Sequence, residues 1–294
     1  MVNIKSEIRQ IWRDSAPLTA LSFLMVLDFV FCLIGIFVDD RTITGVPAWL
    51  KPTKFAISTG IYCSTLAWLF RYITVWPRFV RAMGWVTAIV LILEITIINV
   101  QAARGTTSHF NVSTPLDASL FGIMGSAIVL LWLASIGILA ALFRQHFTDS
   151  DWGWSLRLGL LITVLGAGAG GAMTRMMPQQ REAMRLTHKT TIVGSHTIGA
   201  PDGGPGLPGV GWSTEHGDMR IAHFFGLHGV QIVPLLSLLF ARRRKVFAIA
   251  ASYFSVIVIL AWQALRGQPL IEPDGATLTA LAIWLAASAI AVLR

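Results

Sequence analysis

The segment GDMRIAHFFGLHGVQIVPLLSLLF, starting at Gly217, carries Asp218, Arg220, His223, His228 and Gln231 into an apolar run. Imidazole, guanidinium and amide groups are costly in hydrocarbon, so such side chains face a partner or a cavity. On one continuous helix turning about 100° per residue, Gln231 lies about 20° from Arg220, His228 about 80°, and His223 about 60° the other way. All four then share one broad face. His223 and His228 stand five residues apart. A helix grips a metal best with histidines about four apart. The observed spacing instead suits two imidazoles with different partners, or one ligand and one structural group.

An earlier apolar run repeats the theme. Glu94 and Gln101 lie seven residues apart on one face, with Asn99 and Arg104 nearby and His109 and Asn111 following in SHFN. Asp28 falls in the middle of the first run, and Lys51 and Lys54 open the second in KPTKF. Arg104, Arg220 and Arg266 each stand at an expected helix end. Glu94 and His228 are candidate acid–base groups. His109, His223 and His228 are candidate ligands for a b-type haem or a transition metal, with cations beside them for haem propionates. Lys54, Gln101, Arg104, Asn111, Asp218, Arg220, Gln231 and Arg266 are candidate ligand-binding groups, and Asp117 a further titratable one. Each has a structural alternative. Arginines at helix ends reach to phosphates, Arg104 with Asp117 or Arg266 with Asp274 pins two spans, and a buried amide bridges helices. Their concentration at one end of the spans favours one shared polar pocket.

The elements that must hold these groups are transmembrane helices. Of 294 residues, 54% are hydrophobic and 13% charged, and mean hydropathy is +0.66. Soluble domains are about a quarter charged. The expected fold is an all-α polytopic bundle of about eight spans. They are Leu18–Val38, Phe55–Val75, Met83–Ala103, Ala118–Phe143, Trp154–Thr174, Met219–Phe240, Val246–Arg266 and Thr277–Val292. Basic residues cluster at Lys5, Arg9 and Arg13, at Arg71, Arg78 and Arg81, and at Arg242 to Lys245. That pattern places both termini in the cytoplasm and accounts for the net charge of +8 without nucleic acid. The first run lacks a small-residue cleavage site and reads as a retained span.

The opposite loops, 39–54, 104–117, 175–218 and 267–276, are rich in Pro, Asn, His and Asp. The third contains GAPDGGPGLPGVGWST, which cannot be regular helix or strand and is expected to fold as a lid. Cys32 and Cys63 sit within apolar runs as small hydrophobes. The glycines from Gly166 to Gly171 fit GxGxxG, but without a strand–helix context they point to close helix packing.

An internal match divides the chain. Gln101-Ala-Ala-Arg104-Gly105 before Pro115-Leu-Asp117-Ala-Ser-Leu120 corresponds to Gln263-Ala-Leu-Arg266-Gly267 before Pro273-Asp274-Gly-Ala-Thr-Leu278. This predicts one transmembrane domain, residues 1–294, made of half-repeats 1–150 and 151–294 in parallel orientation.

Together, KPTKF, RGTTSHFNVSTPLD and GDMRIAHFFGLHGVQIVP resemble those of a group of bacterial polytopic membrane proteins, over most of the chain. The resemblance implies a bacterial inner membrane with periplasmic motif loops, and no particular activity. The residues themselves suggest a haem- or metal-binding oxidoreductase first, then a membrane enzyme acting on a lipid or anionic small molecule. A proton-coupled transporter ranks third, because the cytoplasmic half offers few buried polar groups.

Overall fold

The structure is a computed structural model that describes residues 4–239 and 243–293. Phe240 and Arg242, at the end of the sixth expected span and in the basic turn after it, lie outside the described residues. The chain divides into two compact units, Met1–Gln145 and His146–Arg294.

The first unit comprises α1 (Ile4–Asp14), α2 (Ala16–Val38), a short hairpin of β1 (Thr42–Ile43) and β2 (Val46–Pro47), α3 (Leu50–Phe70), α4 (Pro77–Ala103) and α5 (Pro115–Arg144). Here α2 packs along α3, α4 along α5, and both α2 and α3 touch α4. Proline in the first turn starts α2, α4 and α5, where its missing N–H costs nothing. Thr114 caps α5 by accepting the Asp117 N–H.

The second unit comprises α6 (Ser150–Ala169), a 3-10 turn at Gly170–Thr174, α7 (Pro178–Thr187), the antiparallel pair β3 (Thr197–Ile198) and β4 (Gly217–Asp218), α8 (Met219–Leu227), α9 (Gly229–Leu239), α10 (Arg243–Leu265) and α11 (Gly275–Leu293). Here α6 packs along α8 and α9, and α10 touches α6, α8, α9 and α11. The long loop before α8 therefore carries its own short elements, and Gly217 presses directly on the Ala264 carbonyl of α10.

Among the described residues, five helical stretches are long and apolar enough to cross a membrane: α2, α4, α5, the stretch beginning with α6, and α10. The bent pair α8–α9, counted as one broken span, brings the number among the described residues to six. The second expected span, α3, has 21 residues but is diluted by Lys51, Lys54 and several hydroxyls. The apolar stretch of α11, Gly275–Ala291, is short. Outward faces are apolar: Leu27, Phe31 and Phe37 of α2 are exposed, as acyl chains would favour.

The sixth span is not the continuous helix assumed from sequence. It bends by 56° between α8 and α9, so angles drawn from Arg220 do not extend past His228. The cause is local. Gly166 of α6 lies against the Gly226 backbone, and Gly159 against the Gly229 carbonyl. Pro234 removes one backbone donor inside α9. Thr163 repairs the break: its hydroxyl accepts from Val230 N–H (2.9 Å) and donates to the Leu227 carbonyl (3.2 Å). Tyr253 donates to the Phe225 carbonyl at 2.6 Å. Irregular backbone at membrane depth persists only where protein groups satisfy it.

Candidate functional site

In the first unit, three ionisable groups from three segments meet. Lys51 lies in the first turn of α3, Glu94 in mid-α4, and His109 in the loop after α4. Lys51 Nζ is 2.9 Å from His109 Nδ1, and His109 Nε2 is 3.4 Å from Glu94 Oε1. An ammonium only donates, so Nδ1 accepts, and in the neutral ring the hydrogen then sits on Nε2, the nitrogen nearer Glu94. Glu94 is only 2% exposed. Its second oxygen, Oε2, is buried and has no hydrogen-bond partner among the described residues.

The loop holding His109 is fixed on both sides. Asn111 Nδ2 donates to Thr106 Oγ1 (2.9 Å) and the Thr107 carbonyl (3.2 Å), while its Oδ1 accepts from Ser113 N–H and hydroxyl. Phe110 takes a left-handed φ of 64° with its ring buried against Phe121 at 5.8 Å. A bulky residue there is strained and persists only where its surroundings dictate it. Gln101 and Arg104 both bond the Asp117 carboxylate, at 2.9 and 2.6 Å. Lys54, one turn beyond Lys51, is half-buried. Elsewhere in this unit Asn99 Nδ2 donates to Asp28 Oδ1 at 2.7 Å, tying α4 to α2, and the Cys32 thiol lies 3.8 Å from each.

In the second unit, Asp218 caps α8 and is 0% exposed. It accepts from Arg220 Nη2 (2.5 Å), Arg220 N–H (3.0 Å) and Ser213 N–H (2.9 Å). Arg220 also donates to the Gly211 carbonyl at 2.6 Å. This pair staples the Gly/Pro-rich loop to α8. His223 Nδ1 donates to the Gly166 carbonyl at 2.8 Å. His228 stacks edge-on against Phe224 at 4.5 Å. Arg266 pairs with Asp274 and lies 4.3 Å over the Trp262 ring.

The turns after α4 and α10 use the same residue types in a different arrangement. Gln101 donates to the Thr107 carbonyl, and Gln263 to the Pro269 carbonyl, six residues on in both cases. At the next helix, Thr114 caps and Asp117 follows in the first turn, whereas Asp274 caps and Thr277 follows. Hydroxyl and carboxylate exchange places, so by cap position Thr114 corresponds to Asp274 and Asp117 to Thr277.

Sequence reasoning missed one polar cluster and underrated one residue. Asp202 accepts from His196 Nδ1 (2.6 Å), the Ser195 hydroxyl (2.9 Å), and the N–H groups of His196 and Thr197 (3.0 Å each). Burial opposes its ionisation, but the His196 bond and charge and the N–H groups outweigh it and hold the carboxyl well below its usual range. Beside it a cleft of about 210 Å³ is lined by Thr197, Pro201, Ser213, Glu215, His216 and Arg220. No periodicity marks such a loop cluster. Lys51 was legible as a basic residue at a helix mouth, but its link to His109 spans 58 positions.

The arginines expected to hold an anion are thus occupied by aspartates: Arg104 by Asp117, Arg220 by Asp218 and Arg266 by Asp274. Among the described residues, no group of three or more His, Cys, Asp or Glu side chains could hold a metal ion. The structure brings Glu94 and His109 together. Comparison with protein-family models, with curated proteins and with solved structures finds no match.

Proposed function

We propose that the protein is a multi-pass inner-membrane enzyme acting on an anionic small molecule or lipid headgroup from the extracytoplasmic face, with Lys51, His109 and Glu94 as its acid–base centre. The observation that carries this reading is the Lys51–His109–Glu94 chain, with one buried carboxylate oxygen left over. Lys51 supplies positive charge at the mouth. His109 relays a proton between Lys51 and Glu94. Glu94 is the reservoir. A haem or metal on His109 competes with this arrangement, because both ring nitrogens already have protein partners.

The same reading takes α3 and α11 as the second and eighth spans, with both termini cytoplasmic, and the two units as copies of one four-helix repeat. The shared Gln–Arg–Asp turn and the like order of helix contacts support the repeat.

The test is turnover by purified protein in nanodiscs. One arm offers extracted anionic lipids and the other a lipid-free pool of phosphate- and carboxylate-bearing metabolites, with products followed by mass spectrometry. Wild type should consume a species from one arm, and Glu94→Gln and His109→Gln should lower its rate by roughly 10²–10⁴-fold. A Soret band with stoichiometric iron, or consumption that survives both substitutions, overturns the proposal.

A further inference from the structure

A second observation concerns where Glu94 obtains its proton. Thr87, Glu94 and Gln101 are spaced seven apart on α4 and are 0%, 2% and 0% exposed. Seven residues make two helical turns less about 20°, so the three form one stripe over about 21 Å of helix. It is a buried polar line within an apolar helix.

Thr87 is unusual. Buried hydroxyls on these helices ordinarily bond the carbonyl one turn back, as Thr19, Thr53, Ser135 and Ser237 do. Thr87 Oγ1 is buried and has no hydrogen-bond partner among the described residues, as is true of Glu94 Oε2 on the same stripe. Two orphaned oxygens at one face of one helix mark a place where a mobile hydrogen-bonding species belongs. The stripe continues toward the Pro77 end. One turn from Thr87, a side chain at Gly84 would meet the Ser15 hydroxyl at 3.2 Å and the Phe70 ring at 2.9 Å, so these flank the helix there.

We propose that Glu94 is reprotonated from the Pro77 end of α4, along a path through the Ser15 and Thr87 hydroxyls, and not from the loop mouth. The axial gap of about 10 Å between Thr87 and Glu94 is the length of about three hydrogen-bonded waters. In each cycle Glu94, left as a carboxylate once its proton is used, takes one proton at Oε2 from the nearest water of this path. That water is reprotonated through the Thr87 and Ser15 hydroxyls from the Pro77 end, so each O–H bond formed is matched by one broken. The inference rests on the acid–base role proposed for Glu94 and adds a direction and a route.

The test follows Glu94 itself. In nanodiscs, a pH jump is monitored by time-resolved infrared spectroscopy at the carboxyl band that disappears in Glu94→Gln. Thr87→Val keeps the shape and removes the hydroxyl, and should slow the exchange at least tenfold. Thr87→Ser should restore the wild-type rate. An unchanged rate in Thr87→Val, or equal slowing in both variants, overturns the path. If Thr87→Val slows exchange while Glu94→Gln keeps full turnover, the path stands and the enzymatic role of Glu94 falls.

Discussion

At the residue scale, the fate of each polar group depends on who shares its charge. Arg220 and Asp218 neutralise one another and spend their hydrogen bonds on the Gly/Pro-rich loop, whereas one oxygen of Glu94 has no hydrogen-bond partner among the described residues. Asp202 shows the difference in titration. Its carboxyl is held below its ordinary value of 3.8, so its stabilisation is fully present above about pH 4 and is lost as pH falls through the folded value. The loop 175–218 should therefore resist limited proteolysis at pH 7 and lose that resistance progressively as pH falls below about 4. Asp202→Asn should open it already at pH 7, losing about 1–3 kcal/mol of local stability. Equal cleavage of variant and wild type at pH 7 would show that Asp202 does not hold the loop.

At the element scale, the break between α8 and α9 is a packed junction, not a proline kink alone. Thr163→Val leaves Val230 N–H and the Leu227 carbonyl without their side-chain partner and should cost about 1–3 kcal/mol in thermal unfolding. Pro234→Ala should cost less, because the bend is also held by Gly166 against Gly226 and Gly159 against Gly229. A larger loss for Pro234→Ala than for Thr163→Val would reverse that ranking. Gly166→Leu is the severe case. Even a Cβ would lie 2.4 Å from the Gly226 Cα, backbone that cannot swing aside. The helices must separate, at a cost at or above the ~1–3 kcal/mol of ordinary overpacking.

At the scale of the whole molecule, the turn after α4 and the turn after α10 each hold a glutamine, an arginine and an aspartate. The proposed topology puts those turns on the extracytoplasmic side. Single cysteines at Ser113 and Gly204, on a background lacking Cys32 and Cys63, should react with an impermeant maleimide from outside intact cells, and one at Arg78 should not. Reaction at Arg78 but not at Ser113 would invert the assignment.

The apolar content and its length scale fixed the class: runs near bilayer length can only be spanning helices or a buried core. The mutual identity of Arg104 with Asp117 and of Arg266 with Asp274 was legible too, because those partners flank single turns and the chain has little choice about bringing them together. Tertiary structure alone decided the rest. Helical periodicity gives a face, not the residue opposite it, so neither the Lys51–His109 contact nor Thr163 beneath the broken span, 64 positions from Leu227, follows from spacing. Nor does the exchange of Thr and Asp across the two caps. A hydroxyl and a carboxylate accept the same N–H, so sequence order cannot tell which of them sits at the cap, and only the folded turn assigns it.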